Sequence, residues 1–146
     1  MRFASQILTM SDRTSPVHVV AGTDFSEGAR VAVETARAMA QRLSLDLLVV
    51  HVHDPADPEV PGPETERWLE ASRIPGESVQ HRYGRPWVEL SRAAAGAAAL
   101  VVGSHGRSGP QPIALGSTTV KLGLLAPCPL VVVNPVGGSG RLTPSP

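Results

Sequence analysis

The sequence predicts an α/β fold: one domain built on an open, parallel, five-stranded sheet with helices on both faces. Three observations carry this. Short apolar runs rich in β-branched residues ("VHVVAG", "LDLLVVHV", "AALVVG", "LVVV") alternate with alanine-rich segments of helical period, the pattern of βαβ units. Those runs are continuous rather than alternating, as strands covered on both faces require. With 146 residues and no internal repeat, the chain holds one core of ordinary size and is too short for two.

In chain order, the first strand is read at Val17 to Gly22, ending in "TDFSEG", where Ser26 or Asp24 can cap the next helix. Ala29, Val33, Ala36, Ala40 and Leu43 recur at three- and four-residue steps and mark that helix's core face. Leu45 to Val52 reads as the second strand, closed by Asp54-Pro55. A proline-rich loop and a short helix near Thr65 to Ser72 follow. "ESVQHRYG" alternates and reads as a third, less buried strand, after which Pro86 suits the first turn of a helix running to about Gly96. Ala98 to Gly103 is the fourth strand, Ser117 to Leu125 a helix stopped by "APCP", and "LVVVNP" the fifth strand. The domain is expected over residues 16–135, with residues 1–15 and 136–146 as mobile tails.

Right-handed crossovers and helices on both faces require the winding to reverse once, and the strand order expected here is 3-2-1-4-5. Ligands favour the crevice at the carboxyl ends of the strands where the order reverses, here between strands 1 and 4. "GTDFS" and "GSHGRSG" would face each other across it. Glycines 103, 106 and 109 allow close backbone approach. Gly116 precedes Ser117 and Thr118 at a helix start, where unpaired N–H groups and partial positive charge suit a phosphate. A loop followed by an ordinary capped helix would use the same residues. Neither a G-x-x-x-x-G-K-[ST] loop nor a G-x-G-x-x-G turn after the first strand is present.

The spacing Gly103-x2-Gly106-x9-Gly116-Ser117 resembles the nucleotide-binding motif of the universal stress protein family, in its ATP-binding branch. "TDFSEGA", His51-Val52 and "APCPLVVVNP" match that family's landmarks in the same order, and the resemblance runs from about Val17 to Pro135. It implies a Rossmann-like fold of the adenine nucleotide α hydrolase type. It also implies that Asp24 contacts the ribose, that the Val52 backbone meets the adenine edge, and that Gly103 and Gly106 wrap ribose and phosphates. Gly116 and Ser117 would hold the outer phosphates. Arg107 and Thr118 are added because their chemistry suits phosphate. The implied ligand is ATP, with or without Mg2+, or ADP or AMP, and the implied assembly is a homodimer through strand 5, residues 129–134. An apolar edge strand with free backbone groups independently invites such pairing. The chain departs from the family pattern at Gly22, Ala99, Pro110 and Pro112, and each proline removes a backbone donor.

The expected role is a cytoplasmic, dimeric stress-response or regulatory module that binds adenine nucleotide. At most it hydrolyses ATP slowly, because no catalytic base, loop lysine or set of metal carboxylates is arranged for turnover. Two rivals stand beside it: a dimeric interaction module of the same fold without nucleotide, and a nucleotidyl transferase, whose H-x-G-H or S-G-G-x-D-S signature is missing. Thirteen basic and thirteen acidic residues give a net charge of +0 with no basic run, so no nucleic-acid role is expected. One cysteine, Cys128, excludes an intrachain disulfide and suits a reducing compartment, and no apolar run reaches membrane-span length. His18, His51, His53, His81 and His105 lack partners at structural-zinc spacing, so no metal site is expected. Ser104-His105 does not form a triad with Asp24 by spacing. Cys128, Trp68 and Trp87 read as packing residues, and Arg82 and Arg85 as solvated or reaching a partner or a phosphate.

Overall fold

The structure is a computed structural model that describes residues 18–56, 63–104 and 117–134. The elements run β1 (His18–Thr23), α1 (Glu27–Leu43), β2 (Asp46–His53), α2 (Pro63–Ala71), β3 (Glu77–Tyr83), α3 (Pro86–Ala93), β4 (Ala99–Gly103), α4 (Ser117–Leu125) and β5 (Leu130–Val133). All described strand pairs are parallel and the order is β3-β2-β1-β4-β5, the order expected from the sequence. Boundaries differ from the sequence reading by one or two residues, except that α3 ends at Ala93, three residues before the expected Gly96. The two tails lie outside the described residues.

Alternate residues of the central strands face opposite layers, which is why continuous apolar runs are needed. Val19, Ala21, Leu47, Val49 and Val101 pack against α1 and Leu69 of α2. Val20, Val50, Leu100 and Val102 pack against Leu90 and Ala94 of α3, and Leu122 of α4. Helix α1 starts at Ser26, whose hydroxyl accepts from the Ala29 N–H at 3.2 Å. It ends at Ser44, held in the left-handed region at φ 56°. Four of the five predicted stripe residues are buried, but Leu43 is 52% exposed. The chain reverses immediately after it, and Leu45 takes the inward place instead.

A charged residue on the flank of that core face is buried as well. Arg37 of α1 sends Nε and Nη2 to the two carboxylate oxygens of Glu77, at 2.7 and 2.8 Å, and Nη2 also to the Leu69 carbonyl at 2.9 Å. Glu77 additionally accepts from the Ile74 N–H at 3.2 Å. This forked pair joins α1, α2 and the amino end of β3, opposite to the carboxyl ends of the strands.

Gly22 is a packing position. A Cβ placed there would lie 3.0 Å from both δ carbons of Leu90 and 3.3 Å from Cγ1 of Val102. Gly22→Val is therefore expected to destabilise the fold by about 1–3 kcal/mol through overpacking. Urea denaturation measures the loss, and Leu90→Ala in the same chain should return part of it; an unchanged midpoint in the single variant would contradict this packing.

Candidate functional site

Strands β1 and β4 pair as Val19↔Ala99, Val20↔Leu100 and Ala21↔Val101. Beyond this point they part company: β1 continues with β2 to Thr23↔His51, and β4 continues with β5 to Gly103↔Val133. The sheet thus opens at its carboxyl edge at the place where the winding reverses, the position that binds ligands in open α/β sheets.

One lip of the opening is the turn Thr23-Asp24-Phe25-Ser26. Thr23 Oγ1 accepts from the Phe25 N–H at 3.0 Å, and Asp24 Oδ1 accepts from the Ser26 N–H at 2.9 Å. Of the two cap candidates, Ser26 caps the helix and Asp24 holds Ser26. Phe25 sits at φ 63°, an uncommon conformation for a residue with a side chain. The turn's hydrogen bonds and the packing of the Phe25 ring, 4.8 Å from the His51 ring centroid, hold it there.

The other lip is the end of β4 and the start of α4. Thr119 Oγ1 donates to the Gly103 carbonyl at 2.8 Å, and the Ser104 N–H donates to the Val133 carbonyl at 2.8 Å. The first bond ties the first turn of α4 to the carboxyl end of β4, and the second ties that end to β5. Ser117 is exposed there and Thr118 half-buried. Val52 is the residue after the last β1–β2 pair, so β2 overhangs the opening from the β1 side while pairing with Arg82 of β3.

Asp24, Val52, Gly103, Ser117 and Thr118 therefore all lie at the carboxyl edge of the sheet. Gly106, Arg107 and Gly116 lie outside the described residues, as do Pro110 and Pro112. The sequence reading missed Thr23, Phe25 and Thr119. Thr119 had a signal, since it lies three residues before the buried Leu122 and so on the inward face of α4.

Arg82 does not fit its solvated reading. Its Nε donates to Glu89 Oε1 at 3.0 Å and its Nη1 to Gln80 Oε1 at 2.7 Å, while Arg92 takes the other Glu89 oxygen at 2.8 Å. Trp87 packs at the inner edge of α3 with Lys121 Nζ 5.6 Å from its ring centroid. Trp87 Nε1 and Ser91 Oγ, one helical turn apart, are buried without a hydrogen-bond partner among the described residues. Burial pushes the Cys128 thiol up from its ordinary range, which lowers its thiolate fraction at neutral pH.

A column of rings covers the carboxyl ends of β2 and β3. The buried His51 ring shares a 2.9 Å hydrogen bond between Nδ1 and the Thr23 carbonyl. Beside it His53 Nε2 and His81 Nδ1 stand 2.9 Å apart, and Tyr83 stacks on His53 at 4.7 Å and 17°. Among the described residues no group of three His, Cys, Asp or Glu side chains is placed to hold a metal ion. No described helix is long and apolar enough to cross a membrane.

The sequence profile of the universal stress protein family matches residues 17–82 and 64–134. A universal stress protein of Mycolicibacterium smegmatis is 34% identical over 139 residues, covering 83% of this chain and 47% of that protein. One of Thermus aquaticus is 31% identical over 128 residues, covering 76% of this chain and 93% of that protein. The chain thus spans about half the length of the first relative and nearly all of the second. The fold is similar to that of a universal stress protein crystallised in complex with cAMP, with a TM-score of 0.63, 23% identity, and 82% and 98% of the two chains covered.

Proposed function

The chain belongs to the universal stress protein family, and from that premise we propose that it binds an adenine nucleotide, ATP foremost, in the opening between β1 and β4. The observation that carries this is the parting of β1 and β4 beyond Ala21↔Val101, with the Asp24 turn on one lip and the start of α4 on the other. In this reading Asp24 accepts from ribose hydroxyls and the overhanging Val52 backbone meets the adenine edge. Gly103 and Gly106 admit the ribose and inner phosphates. Gly116, Ser117, Thr118 and Arg107 take the outer ones, where a helix N-terminus favours anions. A protein of this fold binding cAMP supports the choice of base.

The protein acts in this reading as a cytoplasmic, regulatory homodimer rather than an enzyme, joined through β5. That edge strand is four residues long, and Val132 on it is exposed. Calorimetric titration with ATP, ADP and AMP, with and without Mg2+ and followed by an assay for released phosphate, tests the reading. Saturable ATP binding without rapid turnover is expected. Fast multiple turnover would overturn the non-enzymatic role, and no binding at millimolar ATP would leave a dimeric module without nucleotide.

A further inference from the structure

We propose that His53 and His81 form a binding site for one divalent transition-metal ion of the Cu2+, Ni2+ or Zn2+ class. The site bridges the carboxyl ends of β2 and β3 and is independent of the nucleotide reading. Residue pairing sets His51 opposite His81 and His53 opposite Tyr83, so His53 and His81 are diagonal neighbours on one face of the sheet. Their facing nitrogens, Nε2 and Nδ1, are 2.9 Å apart. Two imidazole lone pairs at that separation repel unless a positive centre lies between them. In the metal-free protein that centre is a proton carried by one ring.

A metal ion replaces that proton at small structural cost. Metal–imidazole bonds are about 2.0–2.1 Å, which puts two nitrogens in adjacent positions of a square or octahedral ion about 2.9 Å apart, and in a tetrahedral ion about 3.4 Å apart. The strands already supply the shorter spacing. The rings are 5.1 Å apart at 31°, close to end-on, so uptake requires the two rings to rotate until both lone pairs point at one centre. Tyr83 stacked on His53 and the edge of His51 at 4.4 Å and 77° restrain the His53 ring, so the exposed His81 ring makes most of that rotation. His51 in turn is fixed through its bond to the Thr23 carbonyl.

The site is open to aqueous ions, because His81 is exposed and His53 only half-buried. No third side chain joins among the described residues, so water fills the remaining positions. That donor set, two imidazoles and water, favours Cu2+ over Ni2+ and Zn2+ at equal concentration. Because the ion bridges two strands of the folded sheet and the unfolded chain does not hold that geometry, binding raises thermal stability.

The test uses the full-length, nucleotide-free chain. Titration with Cu2+, then with Ni2+ and Zn2+, is followed by calorimetry and by the melting temperature, and the Cu2+ form is examined by electron paramagnetic resonance. One saturable ion per chain, a raised melting temperature and hyperfine coupling from two imidazole nitrogens are expected. His53→Gln and His81→Gln should each weaken binding by more than about tenfold, equivalent to about 1.4 kcal/mol. His18→Gln should leave it unchanged. Circular dichroism confirms that the variants fold; His81 is exposed, so its variant keeps the test valid if the His53 variant does not. Cu2+ affinity and imidazole coupling that survive His81→Gln, or no saturable binding to the parent chain, would overturn the proposal.

Discussion

Glu77→Ala is expected to destabilise the protein by about 3–5 kcal/mol, the usual cost of stranding one member of a buried ion pair. The size follows from what remains. Side-chain exposure is 7% for Arg37 and 0% for Glu77, so removing the carboxylate leaves a guanidinium out of reach of water. Its remaining hydrogen-bond partner among the described residues is the Leu69 carbonyl. The Ile74 N–H loses its acceptor in the same step. Against a total stability of about 5–15 kcal/mol for a domain of this kind, the loss is large enough to unfold part of the population at physiological temperature.

The Coulombic attraction itself is not the main quantity at stake, because desolvation offsets much of it. Arg37→Met combined with Glu77→Leu should therefore recover most of what Glu77→Ala loses, since apolar groups of similar volume often replace a buried pair without net cost. Urea denaturation of Arg37→Met, Glu77→Leu and the double gives the coupling directly. A loss below about 1 kcal/mol for Glu77→Ala would mean that water or a rearranged side chain reaches Arg37, contrary to the burial described. The pair lies at the amino end of β3, so nucleotide affinity measured on the folded fraction should not change.

The sequence predicts neither this pair nor the histidine bridge, and for the same physical reason. Arg37 and Glu77 are forty residues apart, and helical period, which sets Arg37 beside Val33 and Ala40 on the flank of the core face, names no partner for it. His53 and His81 meet only through the β2–β3 register, which a run of alternating residues does not specify to the residue. The strands are a different case. Continuous β-branched runs with turn residues at their ends carry their own signal, and the handedness rule narrows five such runs to a few orders with one reversal, of which 3-2-1-4-5 is the expected one. Once that order is known, the ends of β1 and β4 are neighbours, so Asp24 and Gly103 fall on the two lips without any knowledge of side-chain contacts. What is invisible is how the lips are built: the Phe25 backbone at positive φ, the Thr23 and Asp24 side chains bonded back into their own turn, and Thr119 rather than Thr118 tied to Gly103. The Leu43 position shows the limit of periodicity, because the pattern persists to the last turn while the chain reverses there.

Gly116→Val is expected to lower affinity for ATP by more than about tenfold while leaving AMP binding within about twofold and the fold intact. Gly116 itself lies outside the described residues, but the chain places it immediately before Ser117, the first residue of α4. Thr119 is bonded to the Gly103 carbonyl, so that first turn is anchored at the carboxyl end of β4 and its N–H groups have no carbonyl partners earlier in the helix. A branched side chain one residue ahead would stand over those groups and restrict the backbone that must approach the outer phosphates. AMP has no outer phosphates and is held, in the proposed reading, by Asp24, Val52 and Gly103. The discriminating quantity is therefore the ratio of the two affinities, read by calorimetry on parent and variant. Ser117→Ala should move the same ratio in the same direction by less, since it removes one hydroxyl donor and leaves the backbone free. Equal losses for ATP and AMP would place Gly116 in general shaping of the opening rather than at the outer phosphates, and an unchanged ATP affinity would remove it from the nucleotide site.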